Sequence, residues 1–182
     1  MTVAFSTSSP FASVAVFDGD GGIVWSGSEH APQQASGACL RLLEASGVDL
    51  GGVELFAADI GPGSFTGVRV GVVLAKTLAF AHCAKVAGAD AFDLVAADRV
   101  VVLPSKKGEF FVRVPGESPF RTADLPEDFV GYGNGLDPAR PPSAAGFGPL
   151  LANLSAEDPM TFAPAYLIEP SISIPKKPYR HV

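Results

Sequence analysis

The chain has 182 residues, 47% of them apolar and 18% charged, with a formal net charge of −6 and a mean hydropathy of +0.28. This supplies one sizeable core or two small lobes, and the acidic balance argues against an independent nucleic-acid binder, which normally presents a basic face. Two cysteines, Cys39 and Cys83, in a chain with no signal-peptide layout point to a reduced, cytoplasmic setting, while the scattered His30, His82 and His181 give no zinc-ligand spacing and no metal site is expected.

Residues 2–5 and 13–17 read as strands around the small-polar turn Ser6-Thr7-Ser8-Ser9-Pro10. After the turn Asp18-Gly19-Asp20-Gly21-Gly22, the run Ile23-Val24-Trp25 completes an antiparallel meander. A first helix spans 32–46, with Ala35, Cys39, Leu42 and Leu43 at the spacing of one face and Gly47 placed to end it. Residues 54–60 suit a buried strand. Asp59, at its end, reads either as a cap for the following loop or as a base or metal ligand.

The loop Gly61-Pro62-Gly63-Ser64-Phe65-Thr66-Gly67 turns tightly into a long helix over 65–82, and Ser64 or Thr66 can cap its first N–H groups. Such an entry attracts anions. The established anion-loop patterns do not fit: there is no lysine for a Walker loop, the third glycine of a dinucleotide fingerprint falls one place late, and Pro62 and Thr66 stand where a nucleophile elbow needs glycines. The alternative is a capped, buried helix without a ligand.

Within 65–82 the fully charged residues are Arg69 and Lys76 alone. Arg69 reads as a phosphate or ion-pair contact across a partner boundary or as a solvated cation, and Lys76 as a snorkelling surface cation. Gly67, Gly71, Ala75 and Ala79 form a row without bulk, flanked by Val68, Val70, Val72, Val73, Leu74, Leu78 and Phe80. A helix apolar around most of its girth needs cover on two sides. Its own sheet supplies one; a second helix of the chain or a partner supplies the other. As a membrane span the segment is marginal in length and hydrophobicity.

Residues 86–88 make a short strand and Asp90 caps a helix through 97. Composition shifts near Asp98, dividing the chain into an N-terminal lobe, 1–97, and a shortened C-terminal lobe, 98–182. The second half opens with a hairpin, 100–103 and 110–114. One further strand is expected over 129–135, a loop over 138–149, and an extended, proline-broken tail over 164–178. The order fits a two-lobed α/β domain of the actin-like type.

The segment Gly61-Pro62-Gly63-Ser64-Phe65-Thr66-Gly67-Val68-Arg69-Val70-Gly71, followed by Ala75-Lys76 and Leu78-Ala79, resembles the signature of the TsaB (YeaZ) family. Supporting matches are the N-terminal meander, Gly108-Glu109, Val130-Gly131 with Gly133 near Asn134, and Pro164-Ala165-Tyr166-Leu167. The resemblance implies an actin-like ATPase (ASKHA) fold with a reduced second lobe. It also implies a non-catalytic scaffold role: dimerisation with the catalytic TsaD subunit that makes tRNA threonylcarbamoyladenosine, with a TsaE-type ATPase joining, tRNA held only through the complex, and a homodimer when alone.

In that family the first two helices build the intersubunit bundle, so the resemblance assigns the interface to Gly67, Val68, Gly71, Val72, Ala75, Leu78, Ala79, Cys39, Leu42 and Leu43. No intrinsic cofactor is implied, with ATP or ADP at the partner junction left open; the anion or nucleotide contacts would be Ser6, Thr7, Ser8, Gly63, Ser64 and Arg69. The departures are specific. Ser6 stands where relatives carry the aspartate of an Asp-Thr-Ser/Ala turn, Ala35-Ser36 replaces a His-Ser pair, and Pro104-Ser105-Lys106 replaces Asp-Ala-Arg. Loss of these acids weakens any independent nucleotide hydrolysis. No catalytic residue is assigned, and the alternatives are a free-standing glycoprotease-like peptidase or a small-molecule kinase.

Overall fold

The computed structural model describes residues 1–106, 108–133 and 135–167. Strands β1 (Thr2–Ser6), β2 (Phe11–Phe17) and β3 (Ile23–His30) form an antiparallel meander. β1 and β2 are buried along nearly their whole length, as strands covered on both faces must be, whereas β3 alternates exposed and half-buried residues at the sheet edge. The sequence reading ends β3 at Trp25 because Ser26 to His30 is polar. Pairing with β2 carries it on to His30, opposite Phe11.

Next come α1 (Ala35–Ser46), β4 (Leu55–Asp59), α2 (Phe65–Ala81) and β5 (Lys85–Ala89), giving the order β3-β2-β1-β4-β5 with β1, β4 and β5 parallel. α1 begins three residues later than expected, because Gln33 takes a positive φ of 64° and cannot continue a helix backwards. It ends as expected at a left-handed Gly47.

Both helices lie on one face of the sheet. Ala38, Cys39, Leu43, Val68, Val72, Ala75 and Ala79 share a core with Val3, Phe5, Val14 and Phe56. The small-residue row of α2 therefore faces the chain's own sheet, which corrects the interface assignment. Gly67, Val68, Gly71, Val72, Ala75, Ala79, Cys39 and Leu43 are buried within the molecule, and Leu42 and Leu78 are half-buried against the same core. The reason is steric: a Cβ on Gly67 would lie 2.1 Å from the Thr7 carbonyl oxygen, and one on Gly71 would lie 2.6 Å from Thr7 Oγ1. A row without bulk admits a neighbouring backbone, and that backbone is the turn at Thr7, just past the end of β1.

The other face of the sheet is covered from the second half of the chain. Asp90 caps α3 (Ala91–Ala96), accepting a hydrogen bond from Asp93 N. A 3-10 helix, Ala144–Asn153, sets Ala144 and Phe147 against Ala4, Ala15, Phe17, Ala57 and Leu94. The prolines of 138–149 suggest a loop throughout, but the burial of Ala144 and Phe147 stabilises helical turns that run past Pro149. The second half thus returns to the first lobe rather than forming a separate unit over 98–182.

The second lobe is a four-stranded sheet of β6 (Val101–Pro104), β7 (Phe110–Arg113), β8 (Phe120–Thr122) and β9 (Val130–Gly131), ordered β8-β7-β6-β9. Its core is Phe92, Val95, Val101, Leu103 and Phe111. The expected hairpin is present, β8 was not foreseen, and the strand over 129–135 shortens to two residues. Asn134, and the tail beyond Leu167 with its expected extended course, lie outside the described residues.

Candidate functional site

The carboxyl ends of parallel β1 and β4 open into a cleft of about 1360 Å³, lined from the first lobe by Thr7 to Pro10 and Gly61 to Val68, and from the second by Pro104 to Lys106, Phe111 and Tyr132. Open α/β sheets characteristically bind ligands beyond these strand ends. Register fixes what meets there. Phe5 pairs with Ala58, which brings the next residues, Ser6 and Asp59, level with each other.

Asp59 is fully buried, and its carboxylate gathers three donors. Oδ2 accepts from Ser6 Oγ at 2.8 Å and from Ser8 Oγ at 2.5 Å, while Oδ1 accepts from Gly61 N at 2.9 Å. Burial pushes its pKa above the ordinary carboxylate value, and the hydrogen bonds from Ser8, Gly61 and Ser6 oppose the shift. Tyr132, from the second lobe, reaches toward the Ser8 carbonyl at 3.5 Å; burial and then the Asp59 charge push its phenol pKa up. The capping reading of Asp59 holds, extended by two serines. Parallel pairing of two short strands was the signal that links Asp59 to Ser6, and sequence alone did not give the pairing.

Thr7 is buried and works on α2. Its Oγ1 donates to the Gly67 carbonyl at 2.8 Å and accepts from Gly71 N at 3.1 Å. Ser64 caps the helix, accepting from Gly67 N, and Ser64 N donates to the Ser8 carbonyl at 2.8 Å. Of the six expected anion contacts, Thr7, Ser8, Gly63 and Ser64 line the cleft. Ser6 does not line it, since its hydroxyl is turned to Asp59. Arg69 does not either: its guanidinium stacks over the Phe65 ring at 5.4 Å, and that ring packs on Tyr166 at 5.1 Å.

Lys76, expected as a snorkelling surface cation, runs its stem along α2 and uses its charged end within the chain. Its Nζ donates to the Phe162 carbonyl at 3.1 Å and the Met160 carbonyl at 3.5 Å, binding the last described segment along α2. Among the described residues no group of three or more His, Cys, Asp or Glu could hold a metal ion, and no helix is long and apolar enough to cross a membrane. No histidine or cysteine lines the cleft among them.

Two α/β lobes around a cleft at the ends of β1 and β4 define a protein of the actin-like ATPase fold. The sequence family described as TsaD, tRNA N6-adenosine threonylcarbamoyltransferase, matches residues 14–103. The structure of YeaZ from Pseudomonas aeruginosa superposes with a TM-score of 0.73 at 24% identity, covering 91% of this chain and 99% of that one. An uncharacterized protein with similarity to the peptidase YeaZ, from Pseudomonas aeruginosa, gives a TM-score of 0.76 at 21% identity over 92% of this chain and 99% of its own. No curated protein matches the sequence. The chain is thus similar to the TsaD family over 14–103, and it shares the fold of the YeaZ structures over nine-tenths of its length.

Proposed function

We infer that this chain is a non-catalytic dimerisation subunit of the tRNA threonylcarbamoyladenosine system, pairing with a TsaD-type catalytic subunit and with itself when alone. A TsaE-type ATPase would join that pair, and tRNA would be held through the complex. The observation that carries the reading is the outer face of α2. Opposite the buried small-residue row run Thr66, Val70, Val73, Thr77 and Phe80, in alternate steps of four and three. Val73 is 54% exposed and Phe80 69%, and Leu40 of neighbouring α1 is 54% exposed. A 3.5-residue repeat of this kind is the seam that helices present to one another in bundles, and exposed apolar patches mark interaction sites.

The cleft supports a narrower statement about nucleotide. Phe65 and Thr66, in the first turn of α2 where it lines the cleft, suit a phosphate group. The carboxylate that reaches the turn does not suit Mg²⁺, because Asp59 is buried with both oxygens already accepting hydrogen bonds. This supports ATP or ADP as a ligand at the partner junction rather than independent hydrolysis, and among the described residues no histidine or cysteine lines the cleft to support a peptidase.

Co-purification of the full chain with the TsaD-type subunit of its own cell, followed by assay of tRNA threonylcarbamoylation with and without this chain, tests the reading. Modification should require both proteins. Undiminished modification without this chain, or measurable ATP turnover by the chain alone, would refute it.

A further inference from the structure

We propose that Thr7 is a positioning residue for the partner face, setting the axial register in which α2 is held against the sheet. The inference rests on the reading of the outer face of α2 as an interface. Its basis is the pair of hydrogen bonds through one hydroxyl. Thr7 Oγ1 bridges the Gly67 carbonyl and the Gly71 amide, two groups that an α-helix pairs with each other.

The contact cannot slide. Gly67 lies so close to the Thr7 carbonyl, and Gly71 to the Thr7 hydroxyl, that no other pair of α2 residues four apart could occupy both places without a Cβ entering the turn. The turn is itself fixed at its two sides. Ser6 and Ser8 both donate to Asp59 at the end of β4, and the Ser8 carbonyl accepts from Ser64 N at the start of α2. Shifting or rotating α2 therefore requires breaking the bridge at Thr7. Because Thr66, Val70, Val73, Thr77 and Phe80 project from the opposite side of the same rigid helix, the bridge also sets where they point. Thr7 is no part of that outer face, since it is fully buried on the sheet side of α2.

The test is self-association of the full chain, measured by sedimentation equilibrium on wild type, Thr7→Ala, Thr7→Ser, Phe80→Glu and Val102→Ala. Val102→Ala, in the second sheet, controls for destabilisation alone. Loss of hydrogen bonds on this scale corresponds to about a tenfold change in an equilibrium. Thr7→Ala should weaken association about tenfold, Thr7→Ser should restore it because the hydroxyl returns, and Val102→Ala should leave it unchanged.

Thr7→Val is the second hydroxyl-free variant should Thr7→Ala fail to fold. If Phe80→Glu dissociates the protein while folded hydroxyl-free variants associate like wild type, the role of Thr7 is overturned and the interface stands. If Val102→Ala weakens association as much as Thr7→Ala, the effect is general instability and the role is likewise overturned. If Phe80→Glu associates like wild type, or wild type is monomeric at high concentration, the interface itself is refuted and the role of Thr7 falls with it.

Discussion

Thr7 and Gly71 lie 64 positions apart in the chain, yet the Gly71 amide donates to the Thr7 hydroxyl at 3.1 Å, and no Cβ fits at Gly71 without meeting that oxygen at 2.6 Å. The pair explains why α2 accepts glycines in its interior despite a cost of about 1 kcal/mol each relative to alanine. Gly71→Ala should lose more through overpacking, about 1–3 kcal/mol, than it gains in helix propensity. Gly67→Ala should be worse, because its obstacle is the Thr7 carbonyl, which cannot rotate aside as a hydroxyl can. Denaturant unfolding of both variants, and of Gly71→Ala combined with Thr7→Ala, checks this. In the double variant part of the loss should be recovered.

A bulky charge has opposite consequences on the two sides of α2. At Gly71 or Ala75 it enters the sheet and should unfold the protein rather than release monomers. At Val73 or Phe80 it meets solvent in the lone chain, so Phe80→Glu should stay within about 0.5 kcal/mol of wild-type stability. Its effect should be on association, which sedimentation measured beside thermal unfolding separates from folding.

What was legible in the sequence was chemistry local to a few residues. Gly47, Ser64 and Asp90 each end or cap the helix beside them as their types require. The hairpin strands around Gly108 follow from short apolar runs bounded by turn residues. What was hidden depends on distant partners. The glycine and alanine row of α2 announces close approach of a backbone, but nothing in the row says whether it belongs to the same chain. The outward row at Thr66, Val70, Val73, Thr77 and Phe80 was masked because the valines read as apolar on every side. Asp59 became the centre of the turn only through the pairing of β1 with β4, and Phe147 stabilises its 3-10 helix through residues more than a hundred positions away.

The raised pKa of Asp59 has a defined sign in stability. A carboxyl whose folded pKa lies above its unfolded value binds its proton more tightly when folded, so its contribution is most favourable at low pH and is lost as pH rises through the folded pKa. Between neutrality and the ordinary value of 3.8, wild type should gain stability relative to Asp59→Asn as pH falls. Urea unfolding of both proteins across that window checks the difference. A constant difference would mean that Asp59 does not titrate there.

The thiols should divide sharply. Cys83 is exposed, whereas Cys39 is buried in the α1 core and its thiol is pushed up to about 12, by burial first and by the Glu29 charge second. Since the thiolate is the reactive form, a disulfide reagent at neutral pH should label one cysteine rapidly in the folded protein and the second only on unfolding. Mass spectrometry of the labelled peptides identifies which.

The segment along α2 offers a separate measurement of how the lobe is closed. Phe162 is buried beside Gly88 and Ile60, Ala165 N donates to the Ile60 carbonyl at 2.9 Å, and Lys76 holds the Phe162 carbonyl. Most of the binding is apolar, so Phe162→Ala should cost about 3–5 kcal/mol. Lys76→Met keeps the stem of the side chain and removes the charged donor, and should cost about 1–2 kcal/mol. Hydrogen exchange separates the two effects. Lys76→Met should raise exchange at Ala165, whose amide depends on the strap lying flat, and leave the amides of β1 protected. Faster exchange throughout β1 would show that Lys76 holds the sheet itself and not the segment beside it.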